Sequence, residues 1–283
     1  MNDSPKPNDE RSHATFDLTK AVNKSGFPLQ IAITNLVNSR AQRSAWSVRH
    51  TEHSWRHAEA QREGYIDLVV VHRNAGITFV VECKRAHNTS WIFLNPQRNL
   101  QRRHAKAWVT MRGQEKVQWF GWENVAADPS SPEAEFCIVK CEGGKPNQTL
   151  EDICRPLVLS VEALAQEEVI TGEIGHDSLQ LYFNVIVTTA ELQVGTFDPS
   201  TISLRDGTLP AAEFHSHPFV RLRKQFSTTP VNQGQPVLYE PHDVAAAKEN
   251  TVFIVQADHF AEFLDQFEVD NDLLRRFRIS SRG

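Results

Sequence analysis

Tyr65-Ile-Asp-Leu-Val-Val-Val-His72 and Ile77-Thr-Phe-Val-Val-Glu-Cys-Lys84 are two β-branched runs separated by Arg73-Asn-Ala-Gly76, four residues of turn chemistry. They predict an antiparallel hairpin. Asp67 and Glu82 are centred between Asn74 and Ala75, the middle of that turn, so they should face each other across the ladder. Directly opposed residues have Cβ atoms roughly 4.5–5.5 Å apart, close enough for two carboxylates to grip one hard cation. Strand alternation places Lys84 on the same face as Glu82. Two carboxylates and a lysine at the end of an apolar strand pair are costly unless their charge is compensated, and a divalent metal with a phosphate compensates it. Of the ten lysines in the chain, only Lys84 has an acidic residue two positions before it, so the acid-X-lysine spacing is not a by-product of abundant charge.

Outward from the hairpin the pattern is mixed. Upstream, Leu29, Ile31, Ala32, Ile33, Leu36 and Val37 recur at helical spacing from Phe27 to about Arg43, and Trp46 then opens a strand. Residues 1–24 are polar, Pro-containing and aperiodic, and read as a flexible arm. Downstream, Asn95 followed by Pro96 predicts an N-cap and a helix to about Val109. Its apolar stripe would be Leu100, His104, Trp108 and Met111, with Arg98, Arg102 and Lys106 opposite and Arg103 nearby. Strands are expected at 117–120, 136–141, 181–188, 192–197 and 251–256. Helices are expected at 150–170, broken or kinked at Pro156, and at 259–267. The fold class is α/β, with a core over 25–195 and a C-terminal region, 196–283, that either extends the sheet or forms a small accessory lobe.

Composition removes several function classes. With 283 residues and 40% hydrophobic content the chain can bury a full core, and no run approaches the roughly 18 apolar residues of a membrane span. The N-terminus lacks the apolar core of a signal peptide, so the cytoplasm is expected, with no membrane partner. Cys83, Cys137, Cys141 and Cys154 include no C-x-x-C pair and read as reduced thiols. His215-Ser-His217 alternates like a metal site but has no Cys or acid at completing distance. Ser160 and Ser216 lack a nucleophile elbow, and no Gly-rich phosphate loop is present. Net charge is −5, yet Arg85, Arg98, Arg102, Arg103, Lys106 and Arg112 follow the hairpin with no acid among them up to Gly113. That concentration predicts a phosphate track, with Arg221, Arg223 and Lys224 as an extension.

Asp67 followed by Glu82-Cys83-Lys84 resembles the PD-(D/E)XK nuclease superfamily and its restriction-endonuclease-like fold, a mixed sheet flanked by helices. Gly26-Phe-Pro-Leu-Gln30, Gly64-Tyr-Ile-Asp67, Val81-Glu-Cys-Lys-Arg85 and Trp91 look like the corresponding parts of bacterial members, and the likeness covers residues 26–110 best. The resemblance implies that Asp67 and Glu82 ligate Mg²⁺ or Mn²⁺ together with the main-chain carbonyl of Cys83, and that Lys84 holds the attacking water. It implies phosphodiester hydrolysis leaving 5′-phosphate and 3′-hydroxyl ends, DNA rather than RNA as the favoured partner, and a bacterial anti-phage defence or restriction setting. A homodimer or a defence-complex partner is implied in the same way. One position departs: related sequences often carry a glutamate where this chain has Gln30, which points to Glu52 or Glu63 as a substitute contact. Two other readings stand beside the enzyme: a non-catalytic nucleic-acid-binding or complex-forming module of the same fold, motivated by Gln30, and an effector nuclease activated by a partner.

Overall fold

The computed structural model describes residues 17–86, 89–96, 102–112, 117–139, 149–172, 178–227 and 241–270. In chain order its elements are helices α1 (Leu18–Lys24) and α2 (Phe27–Ser39), then strands β1 (Trp46–His57), β2 (Arg62–His72), β3 (Ile77–Lys84), β4 (Ser90–Asn95), β5 (Arg102–Arg112), β6 (Val117–Ser131), β7 (Glu133–Ala134) and β8 (Phe136–Val139). Helix α3 (Leu150–Thr171) leads to β9 (Ser178–Thr188), β10 (Glu191–Thr196), β11 (Glu213–Ser216) and β12 (Phe219–Gln225). Helix α4 (Pro241–Lys248), β13 (Glu249–Gln256), α5 (Phe260–Gln266) and β14 (Glu268–Val269) complete the series.

The two β-branched runs form β2 and β3 with the expected register, Val70 opposite Phe79 and Leu68 opposite Val81. β3 then pairs in parallel with β9, from Ile77 beside Leu181 to Lys84 beside Thr188. A parallel partner needs a long crossover, and α3 lies in the segment that supplies it. β9 has different neighbours on its other edge at its two ends. Ser178 to Tyr182 pair antiparallel with β5, whereas Asn184 to Thr188 pair in parallel with β13. The result is a mixed α/β sheet of ten strands among the described residues, with the path β1-β2-β3-β9-β13-β12-β7 and with β5, β6 and β14 branching from it. A smaller sheet, β11-β10-β4-β8, adjoins it. The C-terminal strands β12 and β13 thus extend the main sheet.

Helices cover both faces. Under α2 and α5, Leu29, Ile33 and Val37 pack with a ring cluster of Phe79, Phe183, Phe253, Phe263 and Phe267, in which Phe79 meets Phe267 edge-on at 4.6 Å. Under α3, Leu157, Val161 and Leu164 pack on Val69, Val80, Ile186, Trp108 and Trp122. Among the described residues, no helix is long and apolar enough to cross a membrane.

Three expectations need correction. The segment from Arg102 to Val109, expected as a helix, is part of strand β5, and Arg98 lies outside the described residues. β5 lies between β6 and β9, so Ala105, Ala107 and Val109 are buried on one face and Trp108 on the other. A strand buried on both faces loses the polar alternation that would reveal it. Pro156 does not break α3: it sits exposed in the helix's second turn, on the side away from the buried residues. The arm does not extend to residue 24, because Asp17 caps α1 by accepting from the Lys20 amide at 3.0 Å.

Candidate active site

The hairpin ladder is continuous to Leu68 and Val81, and the next two positions along it are Asp67 and Glu82. There the Asp67 side chain takes over from the main chain: its Oδ2 accepts the Cys83 N–H at 2.7 Å. Cys83 points its thiol into the apolar layer under α2 and α5, where burial pushes its pKa up. Alternation then turns Glu82 and Lys84 to the opposite face, half-buried at the carboxyl ends of the parallel strands β3 and β9. Carboxyl ends of parallel strands are where open α/β sheets place their ligands. Lys84 Nζ is paired with Glu82 Oε1 at 2.5 Å.

Gln30 and Glu52 complete the constellation from two other elements. Gln30 sits on the buried side of α2 beside Leu29 and Ile33, only 8% exposed. Its amide nitrogen donates to Glu52 Oε1 at 2.6 Å and to the Asp67 carbonyl at 2.9 Å. Glu52 belongs to β1 at the position opposite Asp67, between the pairs Thr51–Leu68 and His53–Ile66. Its φ of 51° is left-handed, and the ladder shifts register just before it, between Val48 and His50. Such a bulge re-aims a side chain that regular alternation would direct elsewhere.

Electrostatically the site is under-neutralised. Burial and the neighbouring Glu82 charge push the Asp67 carboxyl up from 3.8 to about 6; Glu52 adds to the rise, while the Cys83 N–H and Lys84 oppose it. The donor set consists of hard oxygens, from Asp67, Glu82 and the main chain of Cys83, which suits Mg²⁺ or Mn²⁺. Among the described residues, no three His, Cys, Asp or Glu side chains converge as a metal cluster. The residues that could hold a metal are Asp67 and Glu82, with the main-chain oxygen of Cys83.

The hairpin thus brings Asp67, Glu82, Cys83 and Lys84 together, and Gln30 reaches them. Glu63 does not. It is exposed four residues back along β2, paired in register with Arg56 and lining a separate cleft with Trp55 and Ile170. Glu52 is the alternative that stands at the site. The sign in the sequence is Gln30 itself, a polar side chain inside an apolar helical stripe.

The basic track disperses once β5 is a strand. Lys106 is buried, donating from Nζ to the carbonyls of Ala246 at 2.6 Å and Ala247 at 3.3 Å, and burial lowers its pKa to about 8. Arg103 forks onto Asp128 with two bonds of 2.8 Å. Arg85 donates to the Asn23 carbonyl, tying the end of β3 to α1. Arg102, half-buried, lines a small cleft with Asn95, Arg223 and Lys224. The C-terminal extension of the track is engaged within the fold as well. Arg221 is fully buried and donates to Ser131 Oγ and to the carbonyls of His104, Ala127 and Pro129. Arg223 pairs with Glu249 at 2.8 Å and Lys224 with Glu151 at 2.6 Å. For Lys106 and Arg221 the physical reason is the same: a buried charge is retained only if the fold supplies acceptors.

Comparison of the chain with protein-family models, with curated proteins and with solved structures gives no match.

Proposed function

We propose that the chain is a metal-dependent nuclease that hydrolyses phosphodiester bonds, with DNA as the favoured polymer. The observation that carries this reading is that Asp67 and Glu82 occupy the two positions just past the end of the β2–β3 ladder, with Asp67 accepting the Cys83 N–H and Lys84 one strand period beyond Glu82. Asp67, Glu82 and the Cys83 carbonyl oxygen would hold Mg²⁺ or Mn²⁺. Such an ion, when bound, lowers the pKa of a water and polarises a phosphoryl oxygen. The chain's own groups do the rest. The Cys83 N–H fixes the orientation of the Asp67 carboxylate. The Lys84 ammonium, on the same strand face as Glu82, orients the attacking water and stabilises charge developing on the phosphate. A place in bacterial anti-phage defence or restriction, and action as a homodimer, rest on the resemblance alone.

The test is cleavage of supercoiled plasmid, linear DNA and single-stranded RNA with Mg²⁺ or Mn²⁺. Wild type is compared with Asp67→Ala and Lys84→Ala. Metal-dependent cutting reduced by about 10²–10³-fold in both variants supports the reading and identifies the polymer. Variants that cut as well as wild type would sink it.

One observation favours a second reading, an effector nuclease activated by a partner. Lys84 is held by Glu82, and Arg103 and Lys106 are engaged within the fold. A purified chain that is inert with metal and active once its partner is added distinguishes this case.

A further inference from the structure

We infer that Gln30 and Glu52 act as a unit in which Gln30 is a positioning residue and Glu52 is the third carboxylate of the site. The inference rests on the metal-dependent reading above. A buried primary amide is costly unless its donors are met, and here one nitrogen serves two acceptors, the Glu52 carboxylate and the Asp67 carbonyl. Both acceptors lie at the acid site, and the bond to the Asp67 main-chain carbonyl ties α2 to β2 there. The main chain of Glu52 adopts φ 51°, a left-handed conformation that costs a non-glycine residue on the order of 1 kcal/mol or more. In that conformation Glu52 meets the Gln30 amide at 2.6 Å. The cost is met at the residue opposite Asp67 in the ladder.

The geometry also explains why residue 30 is an amide. A glutamate there would set two acceptors against the Glu52 carboxylate and the Asp67 carbonyl, with no proton to share. Gln30 adds no charge and lets Glu52 supply it. The negative charge of the site is thus spread over three strands, with Glu52 on β1, Asp67 on β2 and Glu82 on β3. One lysine, Lys84, is paired among them. A divalent cation at Asp67 and Glu82 gains from the field of the third carboxylate without Glu52 having to touch it.

Mn²⁺ binding by calorimetry tests this on the full chain, using wild type, Asp67→Asn, Glu52→Gln, Gln30→Met and the Gln30→Met/Glu52→Gln double variant. Glu52→Gln should weaken Mn²⁺ roughly tenfold, the scale of one nearby charge removed at intermediate dielectric. Its melting temperature should hold, because Glu52 is exposed. Gln30→Met should weaken binding too, and the double variant should lose less than the sum of the two single losses, as linked residues do. Glu52→Gln binding Mn²⁺ within twofold of wild type, or strictly additive losses in the double variant, overturns the inference and leaves the nuclease reading standing if Asp67→Asn abolishes binding. Wild type that binds no Mn²⁺ overturns both.

Discussion

Two groups of acids sit against the same sheet and are treated in opposite ways. Under α3, Glu162 is 3% exposed, and both its oxygens are engaged: Oε1 accepts from Trp122 Nε1 at 2.7 Å, and Oε2 lies 3.0 Å from His57 Nε2. Glu168, one and a half turns on, accepts from Arg49 at 2.6 Å and from the Tyr182 hydroxyl at 2.6 Å. These carboxylates bolt a helix to a sheet. At the other site Lys84 pairs with Glu82 alone, Glu52 accepts from Gln30, and the Asp67 carboxyl is pushed up to about 6. The fold satisfies every oxygen of one buried acid pair and leaves the Asp67 carboxyl short of positive charge, the contrast expected if the second group serves the proposed metal-dependent function.

The contrast is sharpest in stability. Glu162→Ala leaves His57 and Trp122 without their acceptor in a dry layer and should cost about 3 kcal/mol in urea unfolding. A loss below about 1 kcal/mol would show that the α3 network is not a bolt. Asp67→Asn should move the other way, raising the stability of the metal-free protein by about 1 kcal/mol, because it removes a charge held against two like charges while keeping an oxygen for the Cys83 N–H. If Asp67→Asn destabilises as Glu162→Ala does, the two groups are alike and the comparison fails.

The pH dependence sharpens it further. His57 titrates above its usual value of 6.5 because its ring is hydrogen-bonded to Glu162, with burial opposing. A histidine raised in the folded state stabilises fully below its unfolded pKa, and that contribution disappears as pH rises through the folded value. Unfolding free energies measured from pH 5 to pH 9 should therefore fall through this window in wild type, and the fall attributable to His57 should be missing in His57→Gln. The smallest effect is expected at Arg103→Ala. The Arg103–Asp128 pair is 49% and 39% exposed. Its loss should change stability by less than about 0.5 kcal/mol, since water and salt screen such pairs.

The legibility of the molecule follows the distance between interacting residues. The hairpin is readable to the register, because both runs are contiguous with the turn between them and a short turn centred between Asn74 and Ala75 fixes which residues oppose. Helix α2 and the late strand and helix, β13 and α5, carry their own periodicity. β5 misled because helical spacing and a doubly buried strand both tolerate Ala, Trp and Val, and the arbitrating neighbours, β6 and β9, lie elsewhere in the chain. The burial of Lys106 is hidden in the sequence for a related reason. Charge is visible in sequence, but the carbonyls of Ala246 and Ala247 that absorb Lys106 are about 140 positions away. Gln30 could be seen as out of place in an apolar stripe, yet its partner could not be chosen between Glu52 and Glu63 without the bulge in β1.

By itself, the sequence determined that Asp67 and Glu82 stand side by side just past the hairpin ladder with Lys84 one strand period on, since a short turn between contiguous runs leaves one register. Tertiary structure alone decided that β9 joins the strand carrying Glu82 and Lys84 to β13 on one edge and to β5 on the same edge further back. It also decided which charges are consumed by the fold. Both are long-range outcomes: parallel pairing and the satisfaction of buried charge depend on groups brought together only when the core closes, and no local pattern encodes them.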